Sequence, residues 1–137
     1  IFRVGRFIGN HDYEEIAIES VNSLRDAMVS QPRGFATALL VTEAILSPPR
    51  EVVIVGSPEA NDTKALVQVL NDRDLSQAVQ ILSSGASDPL LKVLPLLEEK
   101  HSLGGRATAY VCEGGACRIP VTSPDDFAEQ LDTVFDL

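Results

Sequence analysis

The chain has 137 residues, 45% of them hydrophobic and 23% charged, with 20 acidic against 11 basic side chains and a formal net charge of -9. That is enough chain to bury a core, and its usage is globular rather than disordered. An acidic balance argues against nucleic-acid or anionic-membrane surfaces, which are held by Lys and Arg. No apolar run reaches the ~20 residues of a bilayer-spanning helix. The start shows no charged region followed by an apolar one, so no signal peptide is expected. Two cysteines are too few for a secreted disulfide scaffold, so a reducing cytoplasm is the expected setting. The chain opens at Ile1 inside an apparent helix, which suggests a segment of a longer protein.

Residues 1–47 read as helical. A first helix ends at Gly9-Asn10, a left-handed C-cap pair. Asp12, with Glu15 three residues on, has capping-box spacing for a second helix whose face is Ala17, Val21, Leu24 and Met28. Gln31-Pro32-Arg33-Gly34 breaks the pattern. A third helix resumes with Phe35, Ala38, Leu39, Thr42, Ile45 and Leu46, until Ser47-Pro48-Pro49 stops it by removing donors.

From Arg50 the period changes. Val52 to Val55 is a continuous β-branched run, expected of a strand covered on both faces. Ser57-Pro58 makes a turn, Asp62 or Thr63 opens a helix, and Ala78 to Leu82 is a second strand. Two strands joined by a helix predict a parallel pair with a right-handed crossover. Ser87, Asp88 and Pro89 open a further helix through Leu97, weakened by Pro95. Strands at Thr108–Cys112 and Cys117–Val121 flank Gly114-Gly115, a two-residue hairpin turn that needs positive φ. Ser123, Pro124, Asp125 and Asp126 then form a strong helix start, with Phe127, Leu131, Val134 and Phe135 as its buried face.

The candidate sites are few. Cys112 faces Cys117 across the hairpin, and opposed positions bring Cβ atoms to about 4.5–5.5 Å, slightly longer than relaxed disulfide spacing. A strained, easily reduced bridge fits, and so do two reduced, packed thiols. A metal is least supported, because His11 and His101 are the other soft ligands and neither is at ligand spacing. The turn Gly56-Ser57-Pro58-Glu59-Ala60-Asn61-Asp62 lies between strand and helix, where anions bind. It lacks either glycine pattern of a nucleotide loop, and Glu59 and Asp62 would repel a phosphate. A plain strand-to-helix turn is expected. The acid pairs Glu14–Glu15, Glu98–Glu99 and Asp125–Asp126 sit in polar runs rather than in the buried setting a catalytic pair needs, so they are expected to be solvated or helix-starting charges and not an acid/base dyad.

The order β-α-β-α-β-β-α over residues 50–137 is thioredoxin-like, with no Cys-x-x-Cys after the first strand and Ala107 or its neighbour where a thioredoxin places its cis-proline. Several motifs point further. Pro48-Pro-Arg-Glu-Val-Val-Ile-Val-Gly56, Ala107-Thr-Ala-Tyr-Val-Cys112 with Cys117, and Pro120 to Pro124 resemble the YyaL family, also described as spermatogenesis-associated or thioredoxin-domain-containing proteins. Gly9-Asn10-His-Asp-Tyr13 and Gln31-Pro32 fit the same family. The resemblance covers essentially the whole chain and implies a longer parent. That parent would carry an N-terminal thioredoxin domain and an α/α barrel similar to those of sugar epimerases and six-hairpin glycosidases.

On this reading residues 1–47 are the last barrel helices, and residues 50–137 are a degenerate thioredoxin-like α/β domain with a mixed sheet. The implied role is a non-catalytic C-terminal structural or interaction module, with no cofactor. Its partner is the rest of the parent polypeptide, and alone it would self-associate through residues 1–47. The rivals are a redox-responsive module using Cys112 and Cys117, and a contribution to a carbohydrate-active enzyme.

Overall fold

In the computed structural model, which describes residues 1–75 and 78–133, the chain divides into two units, Ile1–Pro48 and Pro49–Leu137. The first is helical: α1 (Phe2–Ile8), α2 (His11–Ser23), α3 (Arg25–Ser30), a 3-10 turn at Pro32–Phe35, and α4 (Ala36–Leu46). Gly9 takes the left-handed conformation (φ 66°) that ends α1, as its position predicts. Asn10, not Asp12, caps α2, its side chain accepting from Tyr13 N at 3.1 Å, and Asp12 falls inside the first turn. The expected single second helix breaks at Leu24, whose N–H turns back to Val21 O. Phe2, Ala17 and Ala44 form this unit's buried centre, with Val41 and Ile45 packed against it.

In α4 the expected apolar stripe is only partly the buried one, with Ile45 packed against the core. Ala44 is buried, whereas Leu39 and Leu46 are exposed. The run ATALLVTEAIL is apolar nearly all round, so periodicity cannot select a face.

The second unit is α/β. A four-stranded mixed sheet has the order β2-β1-β3-β4, from β1 (Arg50–Val55), β2 (Val79–Ser83), β3 (Thr108–Glu113) and β4 (Ala116–Cys117). β1 pairs parallel with β2 and antiparallel with β3, while β3 and β4 form the expected hairpin about Gly114 and Gly115, both at positive φ. The parallel crossover and the antiparallel hairpin thus share one sheet, as the sequence predicts, in an order consistent with a thioredoxin-like arrangement. Val52 to Val55 are all essentially inaccessible, because β1 lies in the interior of the sheet with both faces covered.

Alternation divides the strands between two faces. Val52 and Ile54 of β1 join Ala109 and Val111 of β3 on one face, where they pack with Leu66 and Leu70 of α5 (Asn61–Asn71) and Phe127 and Leu131 of α6 (Pro124–Asp132). Ser123 caps α6 as expected, accepting from Asp126 N, while Val134 and Phe135 lie outside the described residues. Arg73 at the end of α5 grips Asp132 at the end of α6 with two bonds of 2.8 Å. That fork raises the Arg73 pKa and lowers that of Asp132. Arg50 reaches from β1 to Glu113 Oε2 at 3.0 Å and to Leu131 O at 3.1 Å, tying the helix end to the sheet.

The opposite face carries Val53, Val55, Ile81, Thr108, Tyr110 and Cys112 by the same register. Here the expected helix over residues 87–97 is absent. Two 3-10 turns, Pro89–Lys92 and Pro95–Leu97, stand in its place. Pro95 supplies no N–H, so an α-helical ladder could not pass it. Asp88 caps the first turn, accepting from Leu90 N and Ser84 N at 2.9 Å, bonds that hold its pKa below the usual carboxylate value. Tyr110 Oη donates to His101 O at 2.7 Å and accepts from His101 N, which ties this segment to the sheet face.

The fourth strand is shorter than Cys117–Val121. Arg118 N donates to Val111 O, and the next contact is an isolated bridge between Val121 and Ala109. Three steps on one strand therefore oppose two on the other. This bulge absorbs Pro120, which has no N–H for the ladder.

Candidate functional site

Two places concentrate the chemistry of the α/β unit. The first is the end of β1. Gly56 N donates to Ser83 O at 2.9 Å, continuing the parallel ladder to its last rung. The chain then turns through Ser57 and Pro58 into α5, with Ala60 N bonded to Ser57 O. No side chain caps α5. Asp62, expected as a helix opener, does something else: Oδ1 accepts from Thr63 N at 2.9 Å and Oδ2 from Ala107 N at 2.8 Å. It thereby fastens the loop before β3 to the start of α5. Glu59 stays in solvent beside Lys64 Nζ at 3.0 Å, a surface pair that contributes little.

The loop that Asp62 holds is compact. Thr108 Oγ1 donates to Arg106 O and accepts from Leu103 N, so residues 103–108 form a closed turn. Ala107 is buried in the helix-side core. Between the turns after β1 and β2 and this loop lies a cleft of about 150 Å³, lined by Gly56, Ser57, Asp62, Thr63, Ser84, Gly85, Ser102, Gly105 and Arg106 among others.

The Ala107 N–H is the main reason the Asp62 carboxyl sits below its ordinary pKa, with Thr63 N–H and the Arg106 charge adding to it and burial opposing. A depressed folded-state pKa stabilises the fold above the ordinary carboxylate value, and that stability is lost as pH falls through the lower folded value. Asp88 and Asp132 shift the same way. Acid unfolding of the Asp62→Ala variant should therefore show a shallower dependence on pH below about 4 than the parent. Its Ala107 amide should exchange faster at neutral pH. Equal slopes and equal exchange would show that Asp62 does not hold the loop.

The second place is the hairpin. Cys112 and Cys117 are disulfide-bonded, with Cα atoms 3.9 Å apart. The Arg118–Val111 bond makes the next pair along the ladder a non-hydrogen-bonded one, where backbones approach most closely. Of the alternatives open to the sequence, the structure contains the bridge. Its ends differ: Cys112 is 2% exposed under the sheet, while Cys117 on the edge strand is open to solvent.

Nothing joins the two places into one constellation. Cys112 and the β1 turn stand at opposite ends of the sheet, since Cys112 is level with Glu51 and Thr108 with Val55. His11 Nδ1 lies 3.7 Å from Glu14 in the helical unit, and His101 Nδ1 meets its own loop at Glu99 O. Among the described residues no three His, Cys, Asp or Glu side chains are placed to hold a metal, and no helix is long and apolar enough to cross a membrane.

The sequence pointed to Ser57, Pro58, Glu59 and Asp62 but missed Thr63, Ser84, Gly85, Ser102 and Arg106. Their signal is topological. The connections after β1 and β2 leave on opposite faces, and crevices form at such strand ends.

No family model matches the chain, and no solved structure matches it. It is 31% identical to human spermatogenesis-associated protein 20 over 132 residues, and 29% and 28% identical to the mouse and rat proteins of that name. Each alignment covers 96% of this chain, and the chain spans 17% of the length of these relatives. The chain is thus homologous, over nearly its whole length, to one segment of the spermatogenesis-associated proteins that its motifs resemble.

Proposed function

We propose that this chain is a non-catalytic structural and interaction module at the C-terminal end of a longer protein, and that its helical unit docks on the rest of that polypeptide. The observation that carries this reading is the apolar surface of the helices. Val29 is 78% exposed, Leu40 55% and Leu46 79%, with Val4 and Ile16 half exposed. Helices this apolar normally lie inside a protein rather than on its surface. The α/β unit supports the reading from the other side, because its main polar side chains serve structure: Asp62 holds a loop, Asp88 caps a turn, and Arg73 and Arg50 brace α6.

The chain alone should self-associate at micromolar concentration, as read by size-exclusion chromatography with light scattering. Leu40→Glu with Leu46→Glu should return it to a monomer, and the same pair should destabilise the full-length protein. A monomeric parent chain, or a full-length protein indifferent to the double change, would overturn the docking reading.

A second reading is favoured by the unequal burial of the disulfide. A dithiol reductant would attack Sγ of Cys117, the more exposed residue of the pair, breaking the S–S bond and releasing Cys112 as a thiolate that takes up a proton. The second thiol of the reductant would then free Cys117 and become oxidised. In a reducing cytoplasm such a bridge would report redox state rather than only brace the fold. Thiol titration of the chain at graded glutathione potentials tests it: a bridge that stays closed throughout the cytosolic range is purely structural.

A further inference from the structure

We infer that the outer edge of β2 is completed by an extended segment from elsewhere in the longer protein, added to the sheet as a fifth strand. β2 ends the order β2-β1-β3-β4, so one side of it pairs with β1 and the other has no strand beside it among the described residues. Gly56 N donates to Ser83 O, which shows that Ser83 turns its peptide groups toward β1. By alternation Val79 and Ile81 do the same, while Gln80 and Leu82 turn theirs outward. Both ends of the outer edge are closed locally. Ala78 N donates to Leu75 O and Ser84 N to Asp88 Oδ2, each at 2.9 Å. Between these caps, no group among the described residues accepts from the N–H of Gln80 or Leu82.

The two edges of the sheet are built differently. β4 is two residues long and runs into Arg118, a bulge and Pro120, features that keep an edge from pairing. β2 is five residues, Val79-Gln-Ile-Leu-Ser83, in unbroken register and without charge or proline. Its Leu82, level with Ile54 on the helix side, is 39% exposed. Peptide groups two residues apart along an edge are satisfied together by extended backbone, and alternate side chains then select which segment binds. The segment that fits has no proline where its N–H meets Gln80 O or Leu82 O, and sets an apolar side chain against Leu82. Two observations choose its source. This chain spans 17% of the length of its relatives, so most of such a protein lies outside it, and a strand on the same polypeptide arrives at high effective concentration. A second copy is opposed by the net charge of -9 that each would bring. The inference rests on reading the chain as one module of a longer protein, and not on how its helical unit docks.

The test compares amide hydrogen exchange, read residue by residue, in the 137-residue chain and in the full-length protein. In the chain alone Gln80 and Leu82 should exchange freely while Ile81, bonded to β1, stays slow. In the full-length protein both should slow at least about tenfold. Leu82→Pro removes an outward N–H and spares the β1 ladder, so it should restore fast exchange at Gln80 in the full-length protein and leave the chain folded. Should that variant fail to fold, Leu82→Lys places a charge on the same edge and should have the same effect. Fast exchange at Gln80 and Leu82 in the full-length protein would overturn the inference. So would slow exchange already present in the chain alone, which would point to a second copy if it rose with concentration, or protection undiminished in a folded variant. Full-length protein carrying Leu40→Glu with Leu46→Glu separates the two docking readings, because protection at β2 does not depend on that helical surface.

Discussion

Phe127→Ala is expected to cost about 3–5 kcal/mol and to leave the α/β unit unfolded or nearly so. Phe127 is 0% exposed and is the largest of the fully buried side chains. It shares one buried core with Val52, Ile54 and Val111 of the sheet and Leu66 of α5. Removing its ring leaves a cavity between two helices and a sheet, and rigid strands cannot collapse into it. A domain of this size has a total stability of about 5–15 kcal/mol, so the loss is a large share of the whole. Phe127→Leu refills part of the volume and should cost less. Urea unfolding followed by circular dichroism reads both. A loss below about 1 kcal/mol for the alanine variant would mean that α6 does not pack on the sheet.

Reduction of Cys112–Cys117 should lower stability by about 2 kcal/mol and leave the sheet in place. The bridge closes a loop of only six residues, numbers 112–117, and short loops restrict the unfolded chain least. The sheet survives because β3 keeps its full ladder with β1, from Arg50–Glu113 to Val55–Thr108. β4 is held by two residue pairs and one isolated bridge, so it carries the change. Amide exchange should quicken at Arg118 and Val121 and stay slow at Tyr110. Two hydrogens gained in mass on reduction identify the bridge. If denaturation midpoints with and without reductant coincide while the mass changes, the bridge contributes nothing to stability.

Local chemistry made much of the second unit legible in the sequence. A β-branched run with no charge could only be a strand covered on both faces, and Val52–Val55 are that. Two adjacent glycines between β-branched segments could only be a tight hairpin, and that alone set Cys112 opposite Cys117. Ser-Pro-Asp-Asp started α6 as its cap chemistry requires. In each case a property of a few adjacent residues excluded the alternatives.

Where the outcome depended on distant partners, sequence reading ran short. Residues 87–97 carry both a helix start and Pro95, and the balance fell to 3-10 turns tied to the sheet through Tyr110 and His101. Asp62 looks like a helix cap, yet one of its oxygens belongs to Ala107, 45 residues away. α4 has no polar face, so its buried side is chosen by what packs on it. Thr63 carries no mark of its own, yet its hydroxyl ends unpartnered against Gly56, where a side chain would collide with it.

Strand, turn and cap identities follow from the conformations that near neighbours allow, and these the sequence settles alone. Which carboxylate holds which loop, how deep each thiol lies and where a cleft opens depend on long-range approach. Those were decided by the packing of β1 between β2 and β3, because only the folded sheet brings such residues together.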